Sequence, residues 1–136
     1  MNTISHHAAL IYVMVVVSAA DGAMSANELR AIGDLVKDLP VFKDFDQSRL
    51  VSISQECAQI LQEPDGYAAV QGLVKEALPD ELRETAYWLA LEVALSDRRV
   101  ALEEVRVIET LRRSLGIERL VAAALERAAR ARYQIA

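Results

Sequence analysis

Ala20-Asp21-Gly22-Ala23-Met24-Ser25-Ala26-Asn27-Glu28 divides a very apolar run from an amphipathic one and carries the first acidic side chain of the chain. Upstream, residues 4–20 include Val13, Val15, Val16 and Val17. These β-branched residues suit a strand, but the run is long for one, lacks period-2 alternation and is bracketed by Ala. It reads as a helix hydrophobic nearly all round, which belongs at the centre of a bundle. Asp21-Gly22 ends that helix, because glycine tolerates the positive φ of a helix exit. Ser25-Ala26-Asn27-Glu28 fits a capping box: the Ser hydroxyl takes the N3 amide and the Glu reaches back to the cap. Leu29, Ile32, Leu35, Val36 and Leu39 then recur at helical spacing until Pro40.

Working outward, the remaining helices follow from the same signals. Val41–Phe45 reads as a connector, and Asp46 as the cap of a third helix with Leu50, Ile53, Cys57, Ile60 and Leu61 inward. Pro64 opens a fourth, with Val70, Leu73, Val74, Ala77 and Leu78 inward. Pro79 opens a fifth, running to about Ser96, with Asp80, Glu81 and Glu84 at the positive end of its dipole. A sixth, over about 101–115, faces Leu102, Val105, Ile108, Leu111 and Leu115 inward and ends at Gly116. A seventh, over about 117–133, is Ala- and Arg-rich and packs through Leu120, Leu125, Ala128 and Tyr133. The expectation is an all-α, compact bundle of about seven helices in one domain over 1–136.

The opening stretch has a weaker copy 76 positions later, Ser96-Asp97-Arg98-Arg99-Val100-Ala101-Leu102-Glu103-Glu104. At that shift Tyr12 meets Trp88, Val17 meets Val93, Asp21 meets Asp97, Glu28 meets Glu104, Arg30 meets Arg106 and Leu35 meets Leu111. Residue classes hold register through the turn as well as both helices, which shared helical period alone does not require. The reading is two helix–turn–helix units, about 4–38 and 80–115, related by an approximate twofold. If the axis passes near the turns, four carboxylates approach one another.

Asp21-Gly22-x-Met24-Ser25-x-x-Glu28 matches the later half of an EF-hand loop, where acid, glycine, hydrophobic residue and chelating Glu follow in that order. The first two acids of such a loop fall instead at Val17 and Ala19, so a complete oxygen site needs a second supplier. The second copy offers Asp97 and Glu104, with Glu103 a weaker candidate. An all-oxygen set points to calcium first and magnesium second. The competing reading makes the acidic pairs helix caps only. It explains Ser25 and Glu28 well, and Glu104 less well, because Ala101 has no capping hydroxyl. Arg98 in place of the turn glycine counts against the second half-site.

Composition narrows the function. The chain has 136 residues, a hydrophobic fraction of 53%, 5% aromatics and a net charge of −5, which disfavours nucleic acid as a partner. Residues 1–111 carry 18 acids against 9 bases, and residues 112–136 carry 2 acids against 6 arginines. A basic last helix lying on an acidic body is the plain account of that split. Cys57 is the single cysteine, which fits a reducing compartment and a small core residue. Ala8 to Ala20 is too short to span a bilayer, which takes about 20 residues. No Lys or Arg precedes it as in a signal peptide. The expectation is a cytoplasmic protein that is not membrane-inserted. His6 and His7 read as an exposed helix start, and Tyr12, Tyr87 and Trp88 as core. No hydrolase, P-loop, Rossmann or zinc motif is present, so a non-catalytic protein is expected.

Ala8-Ala9-Leu10-Ile11-Tyr12 leading into Ser18-Ala19-Ala20-Asp21-Gly22 and Glu28, with Ala90-Leu91-Glu92-Val93-Ala94-Leu95-Ser96-Asp97 leading into Glu103-Glu104, resembles the TerB-like family of tellurite-resistance proteins. The resemblance is carried by about 8–36 and 86–112. It implies an all-helical bacterial domain with internal symmetry and an acidic cluster for a divalent cation. It also implies a role in tellurite resistance or a wider stress response, with membrane-associated Ter partner proteins. Asp21 and Glu28 match the family's first acidic pair, and Asp97 and Glu104 its second. Arg98 departs from the family's small turn residue. The alternative function is a metal-independent helical interaction scaffold.

Overall fold

The computed structural model describes residues 3–20, 22, 24–97 and 102–136. The described residues form seven α-helices and no strand: α1 (His6–Ser18), α2 (Ala26–Asp38), α3 (Leu50–Leu61), α4 (Gly66–Ala77), α5 (Arg83–Leu95), α6 (Leu102–Leu115) and α7 (Arg119–Arg132). The expected all-α bundle is what forms. Short 3-10 turns at Pro40–Phe42, Gln47–Arg49 and Asp80–Leu82 lead between helices.

α1 is the axis of the bundle. Every residue from Ala8 to Ser18 is buried. α3 and α4 pack against it on one side and α5 on another, while α7 packs on α5. The packing is reciprocal at the other two helices: α2 touches α5 as well as α1, and α6 touches α1 as well as α5. A helix so enclosed must be apolar all round, and each fully buried Val, Leu or Ile contributes about 1.5–3 kcal/mol. Ser5 caps it, its hydroxyl accepting from the Ala8 amide at 3.1 Å.

The exits and entries use local chemistry. Gly22 takes a φ of 90° after α1, and Gly116 a φ of 71° after α6. At the end of α6 the Ile117 amide returns to the Arg112 carbonyl at 3.0 Å, so positive φ at Gly116 satisfies a terminal carbonyl. α4 begins two residues later than Pro64 suggests: Asp65 is left-handed, with φ 62°, and Gly66 starts the helix. A Cβ at Gly66 would overlap the Ile60 carbonyl, so this glycine is where the backbones of α3 and α4 meet. Asp46 caps the 3-10 turn at Gln47–Arg49, not α3 itself. Pro79 likewise precedes a 3-10 turn, and α5 starts at Arg83.

Several apolar residues expected inside lie outside. Leu29, Leu102, Val105 and Leu120 are exposed, Leu120 at 78%. Ala128 is exposed as well, and Ala122 and Ala129 are the buried positions of α7. Helical periodicity does not say which side a neighbour covers: α2 buries Ile32, Leu35 and Val36, α6 buries Glu104, Leu111 and Leu115, and α7 buries Ala122 and Ala129. Trp88 is half-buried, whereas Tyr12 and Tyr87 are core. His7 is not frayed. Its Nε2 donates to the Val41 carbonyl at 2.9 Å, and its ring stacks on Phe42.

Candidate functional site

The acidic turns sit where α1 exits into α2 and where α5 exits into α6. Of the four candidate ligands, Asp21 lies outside the described residues, as do the turn residues Ala23, Arg98, Arg99, Val100 and Ala101. Glu28, Asp97 and Glu104 are described, and they divide by environment.

Glu28 is held by the capping box foreseen from Ser25. The Glu28 amide donates to the Ser25 hydroxyl at 3.0 Å, and the Ser25 amide donates back to Glu28 Oε1 at 3.0 Å. This occupies Oε1 and does not by itself engage Oε2. The carboxylate is nevertheless 2% exposed, an unusual depth for a first-turn glutamate. Glu104, its counterpart after the 76-residue shift, is also 2% exposed.

Asp97 joins the two turns. The Asn27 side-chain amide donates to Asp97 Oδ1 at 3.1 Å, bridging the first turn of α2 to the residue after α5. The two acidic turns therefore occur at the same end of the bundle. Ser18 adds a polar atom nearby in sequence: its hydroxyl is fully buried and finds no hydrogen-bond partner among the described residues. Such an atom costs about 1–3 kcal/mol. Among the described residues, no three of His, Cys, Asp and Glu are grouped closely enough to hold a metal.

The most elaborate buried polar arrangement lies elsewhere and went unnoticed in the sequence. Glu92, inside α5 and 2% exposed, accepts from Arg132 Nε and from the Tyr133 hydroxyl, both at 2.6 Å. Burial, then the hydrogen bond to Glu92, pushes the Tyr133 phenol up to about 12. A second link runs from Tyr87 to Glu126 Oε2 at 2.6 Å. Burial, reinforced by that carboxylate, raises the Tyr87 phenol above its ordinary range. Together they hold α7 to α5, so part of the basic last helix does lie on the acidic body. The signal available beforehand was a lone Glu in the apolar run Ala86–Leu95.

Between these two regions runs an open groove of about 450 Å³, whose lining includes Asn27, Asp34, Trp88, Glu92, Ser96 and Arg132. Its lining contains neither His nor Cys among the described residues. Cys57 is wholly buried, its thiol 3.9 Å from the Tyr12 carbonyl. Burial pushes it up to about 12, which removes the thiolate needed for nucleophilic or redox chemistry near neutrality.

A helical bundle with acidic exits from its first and fifth helices is matched by a family model described as tellurite resistance protein TerB, over residues 7–129. The chain belongs to the TerB family. No curated protein and no solved structure matches it. The match takes in α1 through most of α7, so both acidic turns and the Tyr87–Glu126 link lie inside the matched stretch, while Arg132 and Tyr133 lie just beyond it. No helix among its described residues is long and apolar enough to cross a membrane.

Proposed function

We propose that this TerB domain is a non-catalytic binding module of the cytoplasm, taking a divalent cation between its two acidic turns and acting with protein partners in tellurite resistance or general stress response. The ligands would be Asp21, Glu28, Asp97 and Glu104, with calcium preferred and magnesium second. The observation that carries this reading is the Asn27–Asp97 hydrogen bond, which brings residues from both turns within 3.1 Å. Glu28 and Glu104, at matching positions of the two copies, are both 2% exposed, so each acidic turn is followed by a carboxylate at similar depth. All donors would be oxygens, the chemistry that hard cations select. The described carboxylates do not by themselves amount to a three-ligand set, so the reading requires Asp21.

Membrane-associated Ter proteins are the partners we favour. Cation binding would offset carboxylate repulsion and pin the two helix–turn–helix units together, altering the surface offered to a partner. Tellurite itself is an anion, and an acidic cluster is a poor place to hold it. Titration calorimetry with calcium and magnesium tests the proposal. Millimolar or tighter binding, lost in Asp21→Ala/Asp97→Ala, is expected; absence of binding at millimolar concentration ends it.

A second reading, a metal-independent scaffold, is favoured by the complete capping box at Ser25 and Glu28. On that reading Glu28→Gln, which still caps, leaves stability and any calcium response unchanged.

A further inference from the structure

An open groove of about 770 Å³ lies on neither the acidic turns nor the α5–α7 links. It runs along α3 and α4 beside the start of α1. Its floor includes the half-buried Ile4, Ile60 and Leu73, apolar side chains that α1 leaves only partly covered. Ala68, Ala69 and Gly72 keep one wall low, and a Cβ at Gly72 would meet nothing within 4 Å. The charged residues lining it are Glu56, Glu63 and Glu76, all exposed, with no Lys or Arg among them. None of the three has an ion-pair partner among the described residues. An apolar floor under an all-acidic rim fits an amphipathic helix that carries small and basic residues.

This chain presents such a helix. On α7, Leu120, Ala124, Arg127 and Ala131 recur at i, i+4, i+7 and i+11, on the face opposite the buried Ala122 and Ala129. Arg119, Arg127 and Arg130 are exposed and, unlike Arg132, have no ion pair among the described residues. Leu120 stands 78% exposed at one end. α7 has 14 residues, about 21 Å of helix, against 12 residues and about 18 Å in each of α3 and α4. The lengths therefore match.

The two surfaces are kept apart within one molecule. α3 and α4 pack on α1, α7 packs on α5, and α1 and α5 pack on each other between them. We propose that the outer face of α7 docks in the α3–α4 groove of a second copy, giving head-to-tail association of this TerB domain. The interface is heterologous: one copy's groove receives its neighbour's helix and leaves its own helix and the neighbour's groove free. Growth is therefore open-ended unless the rotation closes a ring. Exposed ion pairs are individually weak and screened by salt, so association rises with concentration and falls as salt is added. The proposal is independent of any cation at the acidic turns.

Sedimentation velocity of the full chain tests it. At about 0.05 M salt the weight-average mass should climb past a dimer as protein approaches the millimolar range, and return to monomer at about 0.5 M salt. Arg127→Glu/Arg130→Glu should stay monomeric, as should Glu56→Arg/Glu76→Arg. All four positions are exposed, and circular dichroism checks that each variant is folded. A 1:1 mixture of the two variants should restore growth by alternation, because the helix of each then meets an oppositely charged groove on the other; a mixture that stays monomeric overturns the proposal. Combining all four changes in one chain should restore growth. A wild type that remains monomeric at millimolar concentration, stops at a dimer, or still grows after either pair of reversals overturns the proposal.

Discussion

Asn27 and Asp97 are hydrogen-bonded across 70 positions of sequence, at 3.1 Å, and this bond holds the start of α2 against the exit of α5. Replacing the amide with a carboxylate turns attraction into repulsion at an exposed site. Asn27→Asp should lower stability by about 1 kcal/mol at low salt. If the turns take a cation, millimolar calcium should recover that loss and raise the melting temperature more than in wild type. Calorimetry with chelator and with calcium reads both effects; no recovery would leave the turns without a cation.

The capping box separates two roles of one residue. Ser25→Ala removes the hydroxyl that accepts the Glu28 amide and should cost about 1 kcal/mol. Glu28→Gln keeps an acceptor for the Ser25 amide and should change stability by less than about 0.5 kcal/mol in chelator. Under the cation proposal the same variant loses most of its calcium-induced shift in melting temperature. Thermal melts of both variants, with and without calcium, decide between the two readings.

Ser18 is a buried hydroxyl without a hydrogen-bond partner among the described residues, and the repeat places Ala94 at the matching position. Ser18→Ala should therefore stabilise the protein by about 1 kcal/mol in the absence of cation. Chemical denaturation with an unchanged m-value would report it. A loss of stability would mean that the hydroxyl is satisfied in solution.

The Glu92–Arg132–Tyr133 cluster makes a prediction of opposite sign. Arg132→Ala withdraws a charged donor from a carboxylate that is 2% exposed, leaving Tyr133 as its partner. Because Arg132 itself is 59% exposed, solvent screens part of the interaction, and a cost of about 1–2 kcal/mol is expected. Hydrogen exchange should show α7 opening more readily than α1.

Alkaline pH should unfold the domain. Burial leads the causes that raise Tyr87, Cys57 and Tyr133, the last two to about 12. A folded-state pKa above the unfolded value gives stability that is fully present below the unfolded pKa. It is lost as pH rises through the interval between the two. The decline should start near pH 9 for Cys57 and near 10 for the tyrosines. Tyrosinate absorbance recorded beside circular dichroism should show ionisation and unfolding together; ionisation of the folded protein first would contradict the burial.

The fold was legible because its strongest signals were local. An apolar run too uniform for a strand gave α1, Ser25 and Glu28 gave the entry to α2, and Gly116 gave the end of α6. The faces of α6 and α7 were read less well. Leu102, Val105 and Leu120 have the right spacing, but spacing does not say which side a neighbour covers. The site was legible only as residue types. The sequence named Asp97, yet Asn27, which reaches it, is an ordinary helix-start residue until the turns are brought together. Glu92 was missed because one acid in an apolar helix has no local pattern, and its partners lie 40 and 41 positions away.

The enclosure of α1 has a consequence for biosynthesis. α1 comes off the ribosome before any of its neighbours, and α5 begins only at Arg83. The greasiest segment of the protein can be covered by α2, α3 and α4 as they emerge, but the side that faces α5 must wait until Arg83–Leu95 has been made. A nascent-chain binder that recognises apolar helices should therefore engage α1 early and let go once α5 has emerged. A charge introduced at Val13 or Val17 would shorten that engagement and forfeit the core the segment was waiting to build.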